Sequence, residues 1–385
     1  MADPYILYGS YASYYTAKAR AYLRKKGVPF VERLPSDPAF REYVRPTSGS
    51  HRIPQLLTPE QEVVQDSVAI VDFLEPLFPA LPAFPDAPRQ RSFVHLMELL
   101  GSQGLIRLAW LHRWLFADNQ PFVTMDFGRS FRPQGSDAEL VKYGQLIADR
   151  MMSYGLPEST PEARDALDDQ YRALLGQFEA HWIEHPYLLG GHPSAADYAL
   201  MGALHAHMGR DPAGRRVMQD NAPRTFRWVE HMLVPDLQSP EFGDRPVEYP
   251  ADDEVPETAL ALLHFIADHY GEGFVLDSLA FQQAMARQDV AAGHALAPDN
   301  DQPFLEREAV HFRGEDREHA ADLHTTWVAQ RAQTHFQAQP PDGREGIREM
   351  LGKSTALDLL EIPVDYAIER QSNRLVVGQV RANAD

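Results

Sequence analysis

Seven hydroxyl side chains crowd one short stretch near the N-terminus: Tyr8, Ser10, Tyr11, Ser13, Tyr14, Tyr15 and Thr16 all lie within "YGSYASYYT". The stretch follows an apolar run, "YILY", and leads into "AKARAYLRKKG", whose spacing is helical. Hydroxyls at a strand-to-helix turn either cap the helix or meet a ligand. One that donates a hydrogen bond at the positive end of a helix stabilises an anion there. The chain has no cysteine. Disulfides, thiolate metal sites and a cysteine nucleophile are therefore excluded, and any thiol chemistry needs a thiol brought in by a ligand.

A second constellation lies in "RIPQLLTPEQEVVQDSVAI". Ile53–Pro54 opens a strand and is a candidate cis bond, of the kind folds keep where a turn presents backbone to a ligand. Asp66 and Ser67 stand at the start of a helix, where free N–H groups attract a carboxylate while the acid attracts an ammonium. Together they suit the head group of an α-amino acid. The plainer reading makes Ser67 an N-cap and Pro54 part of an ordinary trans turn. On "LIRLAWLHRWLF", Trp110, His112 and Trp114 could face Tyr11 and Tyr14 across an aromatic pocket, or the helix could be buried on all sides.

Other motifs weaken. "HWIEH" sets His181 and His185 at i and i+4, yet its glutamate is not placed as in HExxH and no third ligand is evident. "HAHMGRD" reads as packing or capping. "ADDE" at 251–254 lacks an EF-hand spacing and reads as linker. Neither a GxGxxG or Walker loop nor a G-x-S-x-G elbow is present. No metal site is expected.

The elements that must position these residues alternate over 5–80: strand, helix, strand, a two-stranded hairpin and a helix started by Ser67, which is a small sheet with helices on its faces. "PALPAFPDAPR" (79–89) is a stiff linker. Helices are predicted over 92–117, 137–154, 161–185, 194–209 and 222–233, with a long loop at 119–136. A second linker spans 235–256. Beyond it, helical spacing in "ETALALLHFIADHY" and "REHAADLHTTWVAQRAQTHF" puts Ala320, Leu323 and Trp327 on one face, and "NRLVVGQV" reads as a strand.

A length of 385 residues implies two or three domains. The formal charge of −19 argues against nucleic acid and anionic membranes as partners. Residues 246–385 hold 11 basic and 25 acidic residues, so −14 of that charge lies in the last third. No apolar run reaches the roughly 18 residues of a membrane span. The N-terminus lacks an export signal, so a cytoplasmic location is expected.

Taken in order, "LY…S…Y…K.R..L", "IPQLL" and "QDSVAIVDFLE" resemble the N-terminal thioredoxin-like domain of glutathione S-transferases. "PYLLGGHPSAADYALMGALHAHMGRDP" is similar to that family's helical second domain, with Ser194 and Asp197 at its capping box. The resemblance covers about residues 5–235. It implies an α/β thioredoxin-like domain over 1–80 and an all-α domain over 89–235. Residues 250–385 remain as an acidic, mostly helical extension. It also implies glutathione as co-substrate. In serine-type members the activating hydroxyl precedes an arginine of the first helix by seven residues; here Arg20 puts that role on Ser13. Tyr8, near the place used by tyrosine-type members, and Ser10 are the alternatives. Lowering a thiol pKa from about 8.5 by about 2 units asks for roughly 2.7 kcal/mol, within reach of one charge-assisted hydrogen bond and a helix terminus.

By the same resemblance, Ile53 beside Pro54 pairs with the cysteinyl part of glutathione, Asp66 and Ser67 hold its γ-glutamyl end, and His51 or Arg52 meets its glycyl carboxylate. Tyr14 stands where the family often has proline, and Asp66 where it often has glutamate. The implied activity, of the detoxification type, is transfer of glutathione to a hydrophobic electrophile, or isomerisation of one, by a cytosolic homodimer. The alternative is a non-catalytic member that uses its extension for binding or assembly.

Overall fold

The computed structural model describes residues 4–153, 156–288, 290–296 and 304–380. The chain forms two compact units. The first holds the chain up to Ala83 together with Leu105–Pro250, and the second holds Phe84–Gly104 and the chain from Ala251 onward. Two of these boundaries fall within the proline-rich stretches.

The first unit begins with β1 (Tyr5–Tyr8), α1 (Tyr14–Lys25), β2 (Phe30–Arg33), a π-helical turn (Phe40–Val44) running into α2 (Arg45–Ser48), β3 (Gln55–Leu57), β4 (Val63–Gln65) and α3 (Ser67–Leu74). The sheet order is β2-β1-β3-β4, with β1 parallel to β2 and the other two pairs antiparallel. This is the expected thioredoxin-like domain. Alternating side chains bury both faces of the sheet. Ile6, Tyr8, Leu57 and Val63 pack with Phe40 and Val44, while Leu7, Leu56 and Val64 are buried on the opposite face. The register sets Tyr8 opposite Gln55, and Gln55 opposite Gln65. The turn after β1, the chain before β3 and the turn after β4 therefore emerge at one end of the sheet.

From Pro88 the chain is helical. α4 (Pro88–Leu99) and a π-helical turn (Leu100–Gly104) belong to the second unit, and α5 (Ile106–Leu115) belongs to the first. A single helix over 92–117 is thus corrected to two, because the apolar spacing runs unbroken through the π turn that separates them. There follow α6 (Gln120–Phe131), α7 (Asp137–Met152), α8 (Pro161–His181), α9 (Ala195–Met201) with a π-helical turn (Gly202–His207), α10 (Pro212–Asn221) and α11 (Pro223–Met232).

The loop expected at 119–136 is largely helix. Pro121 lies in the first turn of α6, where its missing N–H would be unpaired in any case. Gly128 is a packing contact: a Cβ there would lie 2.1 Å from the Leu140 carbonyl oxygen, and one at Gly144 would lie 1.8 Å from that of Thr124. The two glycines let α6 and α7 touch backbone to backbone. Gly144→Ala is expected to destabilise the protein by about 2 kcal/mol in urea unfolding, since a carbonyl cannot step aside as a side chain can. Gly176→Ala, in α8 with open space around its Cβ, is expected to stabilise slightly.

The second unit continues with the 30-residue α12 (Glu257–Ala286), the hairpin β5 (Phe304–Phe312) and β6 (Glu315–Asp322), α13 (Leu323–Gln337), α14 (Pro341–Leu351), α15 (Thr355–Leu360) and the hairpin β7 (Tyr366–Gln371) and β8 (Arg374–Val380). Helices dominate, as expected, but Ala320 lies in β6 and not on the helix face of Leu323 and Trp327. The carboxylate of Asp322 caps α13 through the Thr325 N–H at 2.8 Å, which ends the strand. Both hairpins turn on two residues of positive φ, Arg313-Gly314 and Ser372-Asn373. Glutamines hold the segment before β7: Gln282 and Gln330 each bond the backbone of β7, and Gln333 and Gln337 bond the carbonyls of Leu359 and Ile362. Asp253, in the expected linker, accepts from the Arg89 and Gln90 N–H groups and so caps α4. Among the described residues no helix is long and apolar enough to cross a membrane.

Candidate functional site

At the end of the sheet, the three segments singled out by sequence come together. Ile53–Pro54 is cis. The Asp66 N–H donates to the Pro54 carbonyl at 3.3 Å, tying the chain before β3 to the turn after β4. Asp66, and not Ser67, is the N-cap of α3. Its Oδ1 accepts from the Val68 N–H at 2.7 Å and from the Ala69 N–H at 3.4 Å. Its φ of 92° is unusual for a residue with a Cβ, and such strain of roughly 1–3 kcal/mol collects at ligand clamps. Ser67 is the first residue of the helix and is buried. The Gln55 Nε2 donates to the Ser50 and Arg52 carbonyls at 2.8 Å each, fastening the loop that carries the half-buried His51 and exposed Arg52.

Ser13 caps α1. Its Oγ accepts from the Thr16 N–H at 3.3 Å, which leaves the hydroxyl proton to donate elsewhere. Its side chain is half-buried at the positive end of a 12-residue helix. Ser10 is buried, and its carbonyl accepts from Arg20. Tyr8 is 1% exposed and packs its ring against Phe40; burial, with Asp37 nearby, pushes its hydroxyl pKa up.

Two buried arginines fix this turn; sequence pointed to Arg20 only through its spacing from Ser13, and to Arg113 not at all. Arg20 donates through Nε and Nη2 to both oxygens of Glu32 on β2, at 2.8 and 2.6 Å, and through Nη2 to the Ser10 carbonyl at 3.0 Å. Arg113 on α5 makes a two-pronged pair with Asp211, at 2.7 and 3.0 Å. It also donates to the carbonyls of Ala12, at 2.9 Å, and Ala206, at 2.6 Å. The carbonyls on either side of Ser13's approach are thus held from two directions. Asp211 precedes Pro212 at the N-cap position of α10, but its carboxylate is bound to Arg113 and not to the helix N–H groups; that partner lies 98 residues away and left no local signal.

The aromatic residues expected to wall a pocket fall into two sets of contacts. Tyr14 is buried against Gly202, where a Cβ would lie 2.3 Å from its ring, and meets His207 edge-on at 5.3 Å. Tyr11 is exposed and meets His205 edge-on at 6.2 Å. Trp114 stacks on Phe127 at 6.0 Å and, with Trp110, joins Val123 and Ala148 in the core between α5, α6 and α7. His112 is buried, stacked on Phe116, with Nε2 3.0 Å from Asp168. Burial and nearby arginines hold His205 and His207 well below the usual histidine pKa, so both are neutral.

His181 is buried with Nε2 3.1 Å from the Tyr187 carbonyl, and burial lowers its pKa to about 3. Among the described residues no group of three or more His, Asp or Glu is placed to hold a metal ion. The capping box is formed as expected. The Ser194 N–H and Oγ donate to Asp197 Oδ2 at 2.8 and 2.9 Å, and the Leu188 N–H donates to Oδ1 at 2.9 Å.

Comparison with known proteins bears on these two domains. Residues 7–82 match the family model "Glutathione S-transferase, N-terminal domain", and residues 161–231 match "Glutathione S-transferase, C-terminal domain". Similar solved structures include a glutathione S-transferase from Methylobacterium radiotolerans in complex with glutathione sulfonate, at 20% identity over 66% of this chain and 100% of that one, with a TM-score of 0.36. Others are the glutathione transferase GSTFuA3 from Phanerochaete chrysosporium (18%, 62% and 100%, TM-score 0.45) and FzlA from C. crescentus (16%, 68% and 99%, TM-score 0.37). No curated protein matches the sequence. Both domain matches fall in the family's order along the chain, so residues 7–82 and 161–231 are identified as the N- and C-terminal domains of the glutathione S-transferase superfamily.

Proposed function

We propose that the protein is a glutathione-dependent transferase or isomerase in which the thiolate of bound glutathione attacks a hydrophobic electrophile. The observation that carries this reading is the register of β1, β3 and β4, which delivers Ser13, Ile53–Pro54 and Asp66-Ser67 to one end of the sheet. In this proposal the Ser13 hydroxyl donates to the sulfur while its oxygen caps α1, and the helix terminus favours the anion. The Ile53 backbone pairs with the cysteinyl unit, Asp66 and Ser67 hold the γ-glutamyl end, and His51 or Arg52 meets the glycyl carboxylate. Of the three candidate hydroxyls, Ser13 is preferred because Tyr8 is enclosed in the core. A homodimer is proposed on family grounds.

The rival reading, a non-catalytic member, draws on one observation: Ser13 and Asp66 both already serve as helix caps. Calorimetric titration with glutathione decides between the two, since no binding at millimolar concentration removes the enzyme reading. Ser13→Ala is expected to raise the pKa of the bound thiol by about 1–2 units and to lower the rate below pH 7 roughly tenfold or more. Thiolate absorbance of the complex against pH measures the shift; an unchanged titration would move the role to another hydroxyl.

A further inference from the structure

Tyr11, two residues before Ser13, is 42% exposed, and arginines surround it. The Arg20 guanidinium lies 4.0 Å from its ring centre and that of Arg210 lies 5.5 Å away. Arg24 donates through Nη2 to its hydroxyl at 3.2 Å. Beside it opens a cavity of about 450 Å³ lined by Tyr11, Arg24, Phe30, Glu32, Arg33 and Leu34.

The charges around this cavity do not balance. Arg20 is held by Glu32, and Arg210 by Asp126 at 2.7 Å. Arg24's remaining bond is to the Leu233 carbonyl at 2.8 Å, and Arg33's is to the Glu32 carbonyl at 3.2 Å. Among the described residues neither Arg24 nor Arg33 meets a carboxylate within 4 Å. The one acid in the cavity wall is therefore committed elsewhere, and two guanidinium charges are left facing the space. In a chain of formal charge −19, this is a local reversal of sign beside Tyr11, on the turn that also carries Ser13. Guanidinium forks match carboxylates in geometry, and the rings of Tyr11 and Phe30 with Leu34 offer an apolar wall for the rest of a ligand.

We infer that the second substrate carries a carboxylate, bound by Arg24 and Arg33 in the cavity beside Tyr11. This rests on the glutathione-transfer reading above and names its substrate class. A suitable probe is 4-chloro-3-nitrobenzoate, with its methyl ester as the uncharged counterpart. The thiolate sulfur bonds to ring carbon 4, chloride leaves from that carbon, and the thiol proton goes to solvent.

Arg33 is the residue to change first, because it is exposed and its bond to the chain is to a neighbouring carbonyl. In Arg33→Gln the ratio of kcat/KM for the acid to that for the ester is expected to fall roughly tenfold, through KM, as loss of a charge-assisted hydrogen bond predicts. Comparing each probe with itself between variant and wild type cancels their different intrinsic reactivities. Arg33→Lys, which keeps the charge, should retain more of the ratio than Arg33→Gln. An unchanged ratio in both Arg33→Gln and Arg24→Gln overturns the inference. So does a tenfold weakening of glutathione binding in Arg33→Gln, because the cations would then serve glutathione's own carboxylate. If the wild type binds no glutathione, the transfer reading fails by itself. Calorimetric binding of the free acid over the ester, lost in Arg33→Gln, would still support the carboxylate site, and equal binding of the two would overturn it.

Discussion

Arg113→Met is expected to lower the unfolding free energy by about 3–5 kcal/mol, because it leaves the Asp211 carboxylate buried beside no matched partner. Asp211 is 1% exposed, and burial already pushes its pKa up with Arg113 in place. Without Arg113 the folded-state pKa rises further above its unfolded value. Stability of the variant then falls as pH rises through that raised value, and the deficit is smallest in acid. Adding Asp211→Asn should recover a substantial part of the loss, because a neutral amide is far less costly to bury. The measurement is urea unfolding followed by tryptophan fluorescence, four of the five tryptophans lying in the first unit. A loss below about 1 kcal/mol for the single variant would mean that water replaces the guanidinium. The same substitution frees the Ala12 carbonyl, so glutathione affinity should weaken along with stability.

Asp197→Ala should cost about 3 kcal/mol at pH 7, since the Ser194 and Leu188 N–H groups lose their acceptor in a fully buried place. Its pH dependence has an unexpected sign. Burial raises the Asp197 pKa from 3.8 to about 6, against the pull of its hydrogen bonds. The folded state thus takes up this proton at a higher pH than the unfolded chain does. The stability the group contributes is full in acid and declines as pH rises from about 4 to about 6. The gap between wild type and Asp197→Ala is therefore expected to widen as pH is lowered through that window. A gap that narrows in acid would show instead that the three donors hold the carboxylate below its ordinary pKa.

What could be read from sequence was what local chemistry announces. The hydroxyls between β1 and α1 offer a helix cap, Ser194 and Asp197 form a capping box, and Asp66-Ser67 marks a helix start after the strand Val63–Gln65. The α6 segment was misread because proline and glycine have two uses. Pro121 starts a helix and Gly128 admits a neighbouring backbone, yet both resemble loop punctuation when the neighbour is unseen. The hairpin of β5 and β6 was hidden by its charges: Glu306, Arg307, Glu308, Asp316 and Arg317 give it the composition of a solvated helix. The clamp on the opening turn was invisible for another reason. Arg113, Ala12, Ala206 and Asp211 meet only after folding, and a lone arginine in a helix has no sequence signature that distinguishes a buried clamp from a surface charge.

The placement of Phe84–Gly104 in the second unit has a consequence for how this protein can have been assembled. α4 packs on α12, α13 and α14, and its Phe93, Val94, Leu96 and Met97 are fully buried. The C-terminal extension is therefore not a passenger joined at one point, because the chain enters that unit, leaves it and enters it again. A gene ending near residue 250 would encode α4 without the helices that cover it. The segment after residue 83 and the chain after residue 250 thus share one core, and a chain cut near residue 250 is expected to expose the apolar face of α4.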